Sequence, residues 1–185
     1  NQPISRTDNG GKTQTVTARS GRAPVTEQAT RIILKAEHLG TNAQEPSEGP
    51  IANLIDGNTA TFFHTAWSVA IPGPHWLQIR LPEALTEGHW KFWYAPRNNG
   101  RQKPTDFDIL VSTGGSDWTL VKKFTKDEDG LPVTATDAYT SPNLPVTQPF
   151  DHIRMVVNAV NSGEVFFTMS EFRLWQVKVV DPEAE

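Results

Sequence analysis

The sequence contains no cysteine, which excludes a disulfide framework, a thiolate nucleophile and a Cys-based metal site, and leaves the compartment open. No apolar run approaches the ~20 residues of a spanning helix, so a soluble chain without membrane insertion is expected. Basic charge is also in short supply. The 17 Lys and Arg stand against 21 Asp and Glu, for a net charge of -4, and the basic residues are scattered along the chain rather than clustered. That argues against nucleic acid and an anionic membrane as main partners. Catalytic signatures are missing as well: there is no nucleophile elbow, no Gly-rich phosphate loop with Lys, no His-Glu-x-x-His and no Cys-His pair. Nor does the sequence single out two carboxylates as the facing pair of a glycosidase. An enzyme is not expected.

The 185 residues suffice for one core-bearing domain with an extension. The chain opens at Asn1 without Met or an apolar signal core and reads as a processed or trimmed fragment. Residues 1–28, rich in Thr, Gly, Gln, Ser and Arg, are expected to form a linker or loosely attached arm, with a short strand around Gln14 to Ala18. Residues 29–180 form the domain and 181–185 a tail.

From Thr30 onward, short apolar or alternating runs are punctuated by Gly and Pro, and none keeps a helical period over three turns, which is an all-β pattern. Leu77, Ile79 and Leu81 fall on one face of a strand, with Trp76, Gln78 and Arg80 on the other. Phe107, Ile109 and Val111 repeat the alternation, as do Ile153, Met155 and Val157, and then Phe172 with Leu174. Strands are predicted near 31–38, 76–81, 89–95, 105–112, 118–124, 151–158 and 171–179. Turns are marked by Ile71-Pro72-Gly73-Pro74, Thr113-Gly114-Gly115 and Asp129-Gly130. Many short strands with Pro-rich connections suggest two sheets packed as a sandwich. Asp127-Glu128-Asp129 reads as a solvated charged turn.

The most informative stretch is Asn53 to Ser68. Asp56, Asn58 and Thr61 offer hard oxygen ligands around Gly57, which lets the backbone fold back, and such ligands suit Ca²⁺. The spacing is not that of an EF-hand. His64 and Trp67 follow three apart. Arg97 with Asn98 and Asn99 sits in a second loop after a strand. A sugar presents hydroxyl groups, which need polar or charged partners, and a patch of C–H groups, which packs on an aromatic face. These residues could supply both. Each also has a bland alternative: Trp67 as core, His64 as a partner of its own loop backbone, Arg97 as half of a structural ion pair, Asp56 as a turn cap. Phe62 and Phe63 read as core. Trp90, Trp93, Trp118 and Trp175 read as packing residues, although Trp93 or Trp118 on an outer face would form a patch.

Four segments, Asn53–Ser68, Pro74-His75-Trp76-Leu77-Gln78-Ile79-Arg80-Leu81, Tyr94-Ala95-Pro96-Arg97-Asn98-Asn99-Gly100-Arg101 and Ser170-Glu171-Phe172-Arg173-Leu174-Trp175, resemble in that order the discoidin or coagulation factor 5/8 type C domains. Within these they are most similar to the family 32 carbohydrate-binding modules. The resemblance covers about residues 30 to 178 and implies a jelly-roll β-sandwich. It further implies a structural Ca²⁺ held by Asp56, Asn58, Thr61, Glu171 and backbone carbonyls. For the ligand it implies a galactose-type site built from His64, Trp67, Arg97, Asn98 or Asn99, and Phe166 or Phe167. The loop after Arg97 is short, so an Asn found further along it in other members has no evident counterpart. A non-catalytic, monomeric module of a larger secreted or cell-surface glycan-processing protein is expected. The alternative within the family is an adhesion domain that reads protein or phospholipid with apolar loop spikes.

Overall fold

Alternation of apolar and polar side chains along the long strands dictates two sheets, each with one face turned inward. The structure, a computed structural model, describes residues 4–7, 13–16, 21, 23–134 and 137–184. In chain order the strands are β1 (Ile4–Thr7), β2 (Thr13–Val16), β3 (Thr26–Ile32), β4 (Leu39–Thr41), β5 (Phe63–His64), β6 (His75–Leu85), β7 (His89–Ala95), β8 (Pro104–Ser112) and β9 (Thr119–Thr125). After the one-turn helix α1 (Lys126–Asp129) come β10 (Tyr139–Thr140), β11 (Leu144–Pro145), β12 (Phe150–Val160), β13 (Thr168–Met169) and β14 (Glu171–Val180).

All pairings between these strands are antiparallel. One sheet runs β10-β7-β14-β3, with β11 also on β7; the other runs β4-β6-β12-β8-β9. Their inner faces meet in one core. Trp90, Phe92, Tyr94, Phe172 and Leu174 come from the first sheet. Leu77, Ile79, Phe107, Ile109, Ile153 and Met155 come from the second. Phe92 lies against Phe107 and Phe124 at ring separations of 6.1 and 5.4 Å, in edge-to-face geometry that suits aromatic quadrupoles. The all-β jelly-roll sandwich expected from the sequence is therefore present. Among the described residues, no helix is long and apolar enough to cross a membrane.

Several boundaries differ from the sequence reading. The strand expected over 31–38 ends at Ile32, starts at Thr26, and gives way to a 3-10 turn at Ala36–His38. Its polar sequence escapes the alternation test because β3 is an edge strand whose central residues are all exposed; it is held by backbone pairing to β14. Near the amino end, β1 and β2 pair as a two-stranded ribbon. The strand anticipated around Gln14 to Ala18 is Thr13–Val16, and residues 17 and 18 lie outside the described residues. Asp127-Glu128-Asp129 belongs to α1, which Thr125 caps from its side chain and Gly130 ends with φ +70°.

The loop site around His64

β5 and β13 form a two-stranded ribbon at one end of the sandwich, pairing His64 with Thr168 and Phe63 with Met169. Thr65 reinforces it. Its N–H donates to Phe167 O at 3.0 Å, and its hydroxyl accepts from Phe167 N–H at 2.9 Å. This ribbon carries the two aromatic segments of the sequence reading side by side, and alternation then sorts their members. Phe63 and Phe167 point inward, fully buried, with rings 5.8 Å apart. Phe166 remains half-buried, 5.6 Å from the His64 ring. Phe167 is therefore a core residue, and Phe166 is the one of the two left partly exposed beside His64. Phe62, expected in the core with Phe63, is instead half-buried, 6.3 Å from His64, with the Arg97 guanidinium 3.7 Å above its ring.

His64 has a defined tautomer. Its Nδ1 is 2.7 Å from Thr65 O; a carbonyl only accepts, so Nδ1 carries the hydrogen and Nε2 keeps a lone pair. Burial is the largest influence on this imidazole and draws its pKa below the ordinary value, with Arg97 adding to that; the Thr65 carbonyl and the carboxylates of Glu48 and Glu45 pull the other way. At neutral pH the ring is an uncharged hydrogen-bond acceptor. The bland reading of His64 is thus half true: one nitrogen serves the backbone and the other does not.

Trp67 is 50 % exposed, which excludes a core role, and lies 6.4 Å from His64. Its backbone is held by a residue that sequence reasoning missed. The buried Glu45 carboxylate accepts from Trp67 N–H (2.6 Å), Ser68 N–H (2.8 Å), the Ser68 hydroxyl, and Ser47 N–H and Oγ. Enclosure disfavours the charge, yet these donors hold the carboxyl well below the usual carboxylate range. Glu48 accepts from Trp67 Nε1 at 2.9 Å, so it stands beside the exposed ring. Gly49 allows this loop to pass close to β5: its φ is +64°, and a Cβ there would lie 2.7 Å from both His64 Cβ and His64 N. Glu-Pro-Ser-Glu-Gly carries no sequence motif that would have marked it.

The second loop follows β7. Arg97 makes no ion pair among the described residues and stacks on Phe62, so the ion-pair reading fails. Asn98 is exposed, whereas Asn99 closes the turn by accepting from Arg101 N–H at 3.2 Å. Beneath them Lys103 is fully buried and donates its ammonium to Arg97 O. Burial, then the neighbouring Arg97, pushes its pKa down. Thus Trp67, His64, Phe166, Phe62 and Arg97 form one ring-and-cation cluster in which His64 is 4 % exposed beneath its neighbours, with Glu48 at its edge and Asn98 on the adjoining loop.

On the far side of the Asn53–Ser68 stretch, Asp56 ends a 3-10 turn. Its Oδ1 accepts from Asn58 N–H at 2.8 Å and its Oδ2 from the Thr61 hydroxyl at 2.5 Å. The Asn58 side-chain oxygen turns to Ala60 N–H. Glu171, 1 % exposed, accepts from Gly57 N–H at 2.7 Å through Oε1, while its Oε2 is buried without a partner. Burial first, then the closeness of the Asp56 carboxyl, raises the Glu171 pKa; for Asp56 desolvation is outweighed by hydrogen bonds from Thr61 and Asn58, and its pKa is lowered. A shallow concavity of about 650 Å³ elsewhere, lined by Asp106, Thr125, Asp127, Glu128 and Asn161, has no aromatic face.

Comparison with known proteins agrees with this architecture. A Clostridium perfringens CBM32 domain in complex with GalNAc-β-1,3-galactose superposes with a TM-score of 0.63 at 17% identity, covering 78% of this chain and 99% of that one. The family 32 module of C. perfringens NanJ in complex with galactose gives 0.59 at 21% identity, covering 80% and 100%. Among curated proteins, a sialidase of Micromonospora viridifaciens is 27% identical over 176 residues, 91% of this chain. A Flavonifractor plautii A type blood N-acetyl-α-D-galactosamine deacetylase is 30% identical over 89 residues. The matched regions span 24% and 11% of those two enzymes. The family profile of the F5/8 type C domain matches residues 38–172, most of the chain and all of the sandwich from β4 to the start of β14, so this chain belongs to the F5/8 type C domain family.

Proposed function

We propose that this chain is a non-catalytic carbohydrate-binding module for galactose-type or related sugars, working as one domain of a larger extracellular glycan-processing protein. The observation that carries the reading is the surface around His64: a neutral imidazole with a free acceptor nitrogen, between an exposed indole and a half-buried phenyl ring, with a guanidinium nearby. In this reading Trp67 and Phe166 cover the C–H face of the sugar, His64 Nε2 accepts from one hydroxyl, Arg97 and Asn98 donate to others, and Glu48 accepts at the rim. The sugar-bound structural neighbours and the partial match to two glycan-processing enzymes support it.

The coupled carboxylates Asp56 and Glu171 are not read as a glycosidase pair. Glu171 Oε1 is taken by Gly57 N–H and its Oε2 is a buried atom, so neither oxygen is presented to a substrate. The pair fits a structural Ca²⁺ better, because a hard cation wants oxygens and Glu171 Oε2 is a buried oxygen without a partner. Asp56, Glu171, the Thr61 hydroxyl and loop carbonyls, with Asn58 contributing through its backbone, would hold it. Bound there, the ion would supply positive charge that keeps both acids ionised and joins the loop to β14.

A few net hydrogen bonds of about 0.5–1.5 kcal/mol each oppose the cost of immobilising a sugar, so single-site affinity falls between tens of micromolar and millimolar. Titration calorimetry of galactose and N-acetylgalactosamine against the wild type, His64→Ala and Arg97→Ala tests the site. Loss of heat in both variants is the expected result; wild-type affinity in both would move the site elsewhere.

A further inference from the structure

We propose a second ligand surface on the outer face of the first sheet, built from Arg31, Lys91 and Arg173 over Trp93 and Trp175, that binds an anionic polysaccharide through its carboxylate or sulfate groups. These cations are scattered in sequence, yet strand pairing gathers them. On the three adjacent strands β7, β14 and β3, Trp175 stands opposite Lys91 on one side and Arg31 on the other, and Arg173 stands opposite Trp93. The Lys91 ammonium lies 5.6 Å from the Trp175 ring centre and the Arg173 guanidinium 4.4 Å from that of Trp93. A guanidinium laid flat on an indole keeps its N–H edge free for a carboxylate or sulfate and loses little mobility on binding one.

Among the described residues, none of the three cations makes an ion pair, and Arg173 Nε is buried without a hydrogen-bond partner. Glu171, two residues along β14, feels the Arg173 charge, but its Oε1 is committed to Gly57. Beside Arg173 opens a notch of about 130 Å³ with Arg31 and Arg173 as its polar members and an otherwise apolar wall of Ile32, Ile33, Leu34, Ile55 and Phe172, too small for a whole sugar ring and able to take one substituent at its cationic side. Unpaired cations on a chain of net charge -4 call for an anion from outside. Three cations at ~1 kcal/mol each are fewer than the clusters of about 4–8 basic residues that hold a protein to an anionic bilayer. An acidic glycan lying across the sheet can meet all three. This surface does not use His64, so it stands or falls apart from the loop site.

Native affinity electrophoresis of the purified chain on gels containing polygalacturonate, dextran sulfate or neutral galactan tests the proposal, with vesicles of phosphatidylserine and phosphatidylcholine in a separate sedimentation assay. The wild type should be retarded by at least one acidic polymer, the two separating carboxylate from sulfate recognition, and retardation should weaken at high salt. Arg31→Gln with Arg173→Gln should weaken retention by more than about tenfold, since losing either one of the two charge-assisted contacts already costs about that much, while His64→Ala retains it. Lys91→Gln, at a half-buried position on the outer face, should give a smaller loss in the same direction, and it keeps the test informative if the double variant melts early. No retardation by either acidic polymer, unchanged retardation in the Arg variants, or vesicle binding that these variants abolish would overturn the proposal.

Discussion

Replacing Trp67 by alanine separates a ligand-facing ring from a packed one. The ring is 50 % exposed, and its Nε1 bonds Glu48 at the surface. The bonds that hold the loop run from the Trp67 and Ser68 backbone N–H groups to Glu45 and survive the change. Truncating a core Trp costs about 3–5 kcal/mol; half that burial gives roughly 2 kcal/mol here. For a domain of this size, that lowers the melting temperature by about 4–8 °C. Trp90, 1 % exposed and packed on Phe92 and Phe150, should lose the full core amount in a parallel Trp90→Ala variant. Calorimetric melting and galactose titration of both variants give the contrast. Trp67→Ala should stay folded and bind no sugar. If it melts as early as Trp90→Ala, or binds with wild-type heat, the exposed-wall argument is refuted.

Sugar binding should be constant above about pH 6.5 and fall as pH drops below it, because the His64 pKa is held below its ordinary value by burial and protonation converts Nε2 from acceptor to donor. The unfolded chain takes up that proton first, so stability should decline over the same acidic range; binding that strengthens in acid would contradict the tautomer. Metal chelation should lower the melting temperature, since a cation bound only to the fold adds about 2.7 kcal/mol at a hundredfold excess over Kd, and Glu171→Gln should blunt the response; a demonstrably metal-free sample that melts as it does in excess calcium would remove the ion. Gly49→Ala places a methyl 2.7 Å from His64 Cβ at a positive φ and should cost about 1–3 kcal/mol together with most sugar affinity; an unperturbed variant would show that this loop approach is not required.

What the sequence determined by itself is the set of two-fold alternations and the punctuation between them. Leu77, Ile79 and Leu81, or Phe107, Ile109 and Val111, can be satisfied only by a strand with one buried face, and such strands need a second sheet to cover them. The candidate ligand residues stood out as polar and aromatic side chains outside the long alternating runs. Trp67 and Arg97 lie in loops, whereas His64 belongs to the short strand β5 and is buried, which no side-chain pattern indicated. β3 was misplaced because an edge strand is held by backbone hydrogen bonds, which side-chain pattern does not encode. The sorting of Phe166 from Phe167 waited on the register of β13 against β5. Glu45 reaches Trp67 across 22 residues, and Lys103 becomes a buried support only when its own loop folds over it. The most consequential omission was electrostatic: Arg31, Lys91 and Arg173 look scattered in one dimension, and only the pairing of β7, β14 and β3, which sets strands about 4.8 Å apart, makes them neighbours on one face.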